Sequence, residues 1–187
     1  MTAFLVALLS AALVTGAGHQ ALRVARLAGA SSGIGPLMVA IALAGISTSA
    51  LAAWLGIIVA DATSASSTRI IVATALVIAA LQVAARRAGP PPREPTRSVG
   101  ATALAMAGMQ ALDATRFLLF ALATKSLAPT AVAVGGALGS AALLIVAAHC
   151  HGAWEQRVPL RLLRLVVAAM LLAAGLVIGW SEGHSAF

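Results

Sequence analysis

The chain has 187 residues, of which 61% are hydrophobic and 9% charged, where a soluble domain carries about 25% charged residues. That composition, with a mean hydropathy of +1.02, excludes a soluble fold and predicts an integral membrane protein, with the lipid bilayer as its main partner. The net charge of +7 would suggest nucleic acid in a soluble protein, but here the basic residues cluster at segment ends, where they read as topology and headgroup signals rather than a nucleic-acid surface.

A membrane-spanning helix needs about 20 mostly apolar residues. The first predicted helix runs from about Ala3 to Arg23. It has no Lys or Arg before its apolar run, which argues against a cleaved signal peptide. A Gly/Ser-rich turn over residues 29–33 follows. Pro36 then opens the second helix, to about Ala60, since proline suits a first turn where its missing N–H costs nothing. Asp61 to Thr68 reads as a polar turn, and the third helix runs from about Arg69 to Ala85.

Residues 89–98 form a Pro/Arg-rich linker that divides the chain into a first part, 1–88, and a second, 99–187. The fourth helix is predicted from about Val99 to Ala123, the fifth from Pro129 to about Ala148, and the sixth from Pro159 to about Trp180. Arg161 and Arg164 lie on the first turns of the sixth, placed to snorkel. Between the fifth and sixth, His149 to Val158 reads as a polar loop. His149, Cys150 and His151 are neighbours in sequence, but adjacent helical residues do not face one point, so an interface loop is expected rather than a soft-metal cluster. Glu155 and Glu182 are expected in solvent. Trp54, Trp154 and Trp180 fall near predicted segment ends, as interface anchors do.

Six helices divided three and three leave nine basic residues on one side of the membrane: Arg23, Arg26, Arg86, Arg87, Arg93, Arg97, Arg157, Arg161 and Arg164. The other side receives only Arg69, Arg116 and Lys125. The positive-inside rule then places both termini outside, and the bacterial cytoplasmic membrane is the expected location, with the 89–98 linker cytoplasmic.

The halves can be laid over one another at a shift of 93 residues, which sets Pro36 on Pro129, Gln20 on Asp113 and Arg23 on Arg116. Three helices are an odd number, so the second half would enter the membrane inverted. The predicted fold is thus all-α, six transmembrane helices as two inverted three-helix repeats, an arrangement common among secondary transporters with a midplane site. Gly135 and Gly139 form a G-x-x-x-G, and Gly45 with Ser49 a similar pair, both suited to close helix packing.

One acid resists placement at a segment end. Asp113 lies inside the predicted fourth helix, where a carboxylate near the bilayer centre costs about 3 kcal/mol. Two readings stand: a polar site for a substrate or ion, or an internal Asp113–Arg116 pair one turn apart. Gln110 lies one turn earlier on a similar face. His19 and Gln20 are the partners expected from the first half. Thr15, Ser47, Thr48 and Ser49 are expected to bond to their own helix backbones.

The chain resembles the small six-helix manganese/calcium exporters that carry two E-x-G-D-[KR]-[TS] motifs, one in each inverted half. The resemblance is best from Gln110 to Gly139, through Leu127-Ala128-Pro129-Thr130-Ala131-Val132 and Gly135-Gly136-Ala137-Leu138-Gly139. Val158-Pro159-Leu160-Arg161 reads like the family's entry to its sixth helix. Here the second motif is Gln110-Ala111-Leu112-Asp113-Ala114-Thr115 and the first is Ala17-Gly18-His19-Gln20-Ala21-Leu22, so of four acids one remains.

The resemblance implies a proton-coupled antiporter of divalent cations, with Asp113 and Gln110 as ion ligands and Gln20, His19 and Thr115 around them. Manganese or calcium would be the transported ion, and no cofactor is expected. Arg23 and Arg116 within a turn of the site oppose a dication and leave two alternatives open. One is an exporter of a small organic solute or anion. The other is a non-transporting accessory that forms a homodimer or pairs with a related chain. No nucleophile–base pair, phosphate loop or H-E-x-x-H is present, so an enzyme is not expected.

Overall fold

The computed structural model describes residues 1–30, 34–85, 98–150, 153–154 and 159–183. Most of the 89–98 linker, Arg86, Arg87, Arg157, His151, Glu155 and the side chain of Glu182 lie outside the described residues, as does part of the 29–33 turn.

Among the described residues there is no strand, and the helices are α1 (Thr2–Ala17), α2 (His19–Ala30), α3 (Ile34–Ala62), α4 (Ala65–Ala85), α5 (Val99–Ala111), α6 (Ala114–Lys125), α7 (Pro129–Cys150) and α8 (Leu160–Gly183). Four of them, α3, α4, α7 and α8, are long and apolar enough to cross a membrane, and α1 with α2 makes a fifth if that pair counts as one span.

The sequence supports most of the helix ends. Pro129 is the first residue of α7 and Pro36 lies in the first turn of α3, where a missing N–H is harmless. Ser98 caps α5, its hydroxyl accepting from Ala101 N at 3.4 Å. The expected polar turn over Asp61–Thr68 shrinks to Thr63 and Ser64, and α4 starts at once because Ser64 Oγ accepts from Ser67 N at 3.2 Å.

The first and fourth expected helices are each interrupted. Helices α1 and α2 meet at Gly18 with a bend of 68°, and α5 and α6 are separated by Leu112 and Asp113. At the shift of 93 residues Gly18 falls on Ala111, beside the second interruption. Each half therefore runs as a broken arm followed by two longer helices.

The arms are exchanged between the halves. Helix α1 lies along α7 of the second half, with α2 beside it, while α5 and α6 pack on α3 of the first half. The long helices α3 and α7 pack on each other, as do α4 and α8.

Glycine makes the closest of these contacts. A Cβ on Gly135 or Gly139 would strike the backbone of α1 at Phe4 or Leu8, and one on Gly136 would strike Leu119 of α6. Helices that lack a Cβ at the crossing approach backbone to backbone and gain dispersion contacts unavailable from lipid. Gly45 makes only ordinary contacts with Ala141 and Ala137.

Trp154 is not an interface anchor. It is 8% exposed and belongs to one buried apolar cluster with Ala25, Leu37 and Leu144, residues of α2, α3 and α7.

Candidate functional site

Asp113 sits in the second interruption and ends the expectation of one continuous fourth helix. Its backbone is extended, with φ −91° and ψ 156°, and it is the N-cap of α6. Its carboxylate accepts from Thr115 N at 3.4 Å, and its carbonyl accepts from Arg116 N at 2.9 Å and Phe117 N at 3.2 Å. Asp favours this position because its short side chain satisfies amides that an emerging helix leaves unbonded. A negative charge there also meets the positive end of the helix dipole.

Arg116, 4% exposed, points into the protein. Its Nε donates to Thr48 Oγ1 at 2.7 Å, its Nη2 to Gln110 Oε1 at 2.7 Å and its Nη1 to Ser140 Oγ at 3.5 Å. The two hydroxyls are oriented for this: Thr48 donates to Ala44 O at 2.6 Å and Ser140 to Gly136 O at 2.8 Å, leaving their lone pairs to the guanidinium. The three acceptors come from α3, α5 and α7, so one cation ties both halves together. All three are neutral. Asp113 is near enough to attract the guanidinium, but its carboxylate is engaged as a helix cap.

The first interruption lies alongside. Gly18 N donates to Val14 O at 2.9 Å, and Arg164 of α8 donates from Nε to Ala17 O at 3.1 Å. Arg164 thus covers the carbonyl end of α1 instead of only snorkelling. Gln20 Nε2 donates to Met109 O at 3.5 Å, and Arg23 Nη1 lies 3.5 Å from Met109 Sδ. His19 is buried at the same break. Thr15 Oγ1 lies 3.1 Å from Thr115 Oγ1, so Thr15 bridges the halves instead of serving its own helix. Ser47 does bond to its own helix, at Leu43 O. Ser49 Oγ is buried and, among the described residues, has no hydrogen-bond partner; the same holds for Gln110 Nε2.

The structure therefore gathers Gln20, Gln110, Asp113, Thr115 and Arg116 around two adjacent helix breaks, with His19 beside them and Arg23 at the edge. Gln20, Arg23 and Gln110 line a cavity of about 20 Å3 there. Among the described residues no group of three His, Cys, Asp or Glu side chains gathers at one point. His149 and Cys150 belong to the last turn of α7, not to a loop, and His149 Nδ1 lies 2.8 Å from Ile145 O.

Thr48, Ser140 and Arg164 are the site residues that sequence reasoning does not find in these roles. Thr and Ser in mid-helix default to their own backbone, and these two do both. For Ser140 the one available signal is its place one residue beyond the G-x-x-x-G stripe.

No family model, no curated protein and no solved structure matches the chain.

Proposed function

We propose that the chain is a secondary transporter working by alternating access between its two halves. The observation that carries this reading is one broken helix per half, the two breaks adjoining around a buried polar cluster. Transporter sites are built from such discontinuous helices, whose free backbone ends serve polar cargo. Length and apolarity support five spans; with α5 and α6 also taken as one crossing there are six, three per half, and the halves enter the membrane inverted. The exchanged arms suit rocking of one half on the other about α3 and α7. Basic residues then set both termini outside a bacterial cytoplasmic membrane.

The donor set favours an anionic cargo. A dication such as manganese or calcium needs several oxygens, carboxylates among them. Here Gln110, Thr48 and Ser140 give theirs to the Arg116 guanidinium, and Asp113 caps α6. The hydrogen-bond partners of the buried Arg116 are neutral, and Asp113, the one acid that attracts it, is held as a helix cap, so the guanidinium favours a further negative group over a cation. Cation exchange through Asp113 is the second reading, favoured because both helix breaks fall on the positions of the two degenerate motifs.

The test is flux into proteoliposomes of manganese, calcium and small organic carboxylates, with and without a pH gradient. Carboxylate flux lost in Arg116→Met and kept in Asp113→Asn is the expected result. Manganese or calcium flux lost in Asp113→Asn would transfer the assignment to cation exchange. No flux of any of these would end the transporter reading.

A further inference from the structure

We infer that the cleft between α3, α4 and α6 is a lateral binding site for a single-chain monocarboxylate with an apolar body, admitted from the lipid and held by Arg116. The inference rests on the transporter reading for its purpose, but its evidence is separate.

The cleft has a volume of about 420 Å3, within the usual range of roughly 300–1,000 Å3 for small-molecule sites. It exists because α3 and α4 scarcely touch while both pack against α6. At its buried wall stand Thr48 and Arg116; Leu55, Ile71, Phe117 and Phe120 line the rest. Leu55 is 42% exposed and Ile71 36%, and both lie on helices able to span a membrane, so the cleft opens sideways, toward acyl chains.

The charge selects the head of the ligand. A guanidinium carries five N–H donors. Thr48 takes the one on Nε, Gln110 one on Nη2 and Ser140 one on Nη1. Among the described residues one N–H therefore remains on each terminal nitrogen, enough donors for the two oxygens of a carboxylate.

The depth selects the rest. Arg116 is bonded to Thr48, at the middle of the 29-residue α3. At 1.5 Å per residue that lies roughly 20 Å from either end of the helix. A phospholipid headgroup is anchored at the interface and does not reach that depth. A free single-chain acid reaches it in its protonated, neutral form, with its tail against Leu55, Ile71 and Phe120 and its carboxyl beside Arg116, whose charge favours the ionised form.

The experiment uses the full chain in phosphatidylcholine nanodiscs with a diazirine-bearing decanoic acid, labelled sites being mapped by mass spectrometry. Competition is by decanoate against decanol, which share the tail and differ in the charge. The expected result is labelling on the cleft faces of α3, α4 and α6, displaced about tenfold better by decanoate, the factor of one charge-assisted contact. Arg116→Met is expected to abolish the preference for the acid and Arg116→Lys to restore part of it. Ile71→Trp adds bulk from an exposed position, leaves the core intact and is expected to remove the label.

Equal displacement by acid and alcohol overturns the inference. So does labelling unchanged in Ile71→Trp, or spread evenly over lipid-facing helices. Flux assays keep the two proposals apart: labelling as expected without flux upholds the site and ends the transporter reading, while flux of short carboxylates without labelling does the reverse.

Discussion

At the shift of 93 residues the two helix breaks fall within two residues of each other, yet they are stabilised in opposite ways. At Gly18 the exposed end is a helix C-terminus, and a cation from another element, Arg164, covers the Ala17 carbonyl. At Asp113 the exposed end is a helix N-terminus, and an acid within the break itself covers the Thr115 amide. Each charge has the sign its helix dipole requires. The arginines that follow the breaks diverge further: Arg116 is buried among oxygens, whereas Arg23 is half-buried against a thioether.

The equivalent positions explain why. At the shift of 93 residues Gln110 corresponds to Ala17, Thr48 to Ala141 and Ser140 to Ser47. Two acceptors are methyl groups on the Arg23 side, and the third, Ser47, is exposed and bonded to Leu43 O. A charged residue takes its role from the acceptors that face it, not from its place in a repeat.

The largest expected effect tests that contrast directly. Arg116→Met should lower flux by at least about tenfold, a barrier change of about 1.4 kcal/mol, while Arg23→Met stays within about twofold. Equal losses, measured per mole of reconstituted protein, would erase the distinction between the arginines.

Next comes Gly139→Val, which drives a branched side chain into the Leu8 carbonyl and should cost about 1–3 kcal/mol in an unfolding titration in micelles. It should loosen α1 and the Gly18 break while thiol labelling of an Asp113-side cysteine probe stays slow. Fast labelling at both breaks would mean that they fold as one unit.

Asp113→Ala should cost about 1 kcal/mol as a lost cap, and Asp113→Asn only a few tenths, because Asn caps as well as Asp. A similar loss in both variants would show that the charge, not the cap, is what the break needs. Smallest is Arg164→Met, expected to cost about 0.3–1 kcal/mol from the end of α1, with the Arg116 cluster unchanged.

Much of this was legible in the residues. Apolar runs gave the membrane-capable helices, Pro36 and Pro129 their entries, and Gly135 and Gly139 the closest crossing. Asp113 and Gln110 stood out because polar groups are costly among apolar neighbours.

The breaks were not legible, because an apolar run is scored by length, and neither Gly18 nor Leu112-Asp113 lowers its hydropathy enough to divide it. The pattern that marks the second break is small: an Asp two residues before an amide that it caps. The acceptors of Arg116 were hidden for another reason. Thr48 and Ser140 lie far from it in sequence and keep ordinary bonds to their own helices. Only packing brings their second lone pairs to a guanidinium, and no periodicity encodes that.

The exchange of arms also bears on how the chain is made. Helix α1 is synthesised first, but the glycine surface that receives it belongs to α7, and the arginine that closes its end follows Ala17 by 147 residues. The first half alone leaves α1 and α3 without their principal neighbours, which belong to the second half. Docking of the arms is therefore a late event, completed only once α7 and α8 exist. Two separately encoded halves, by contrast, should find each other and complete the same fold.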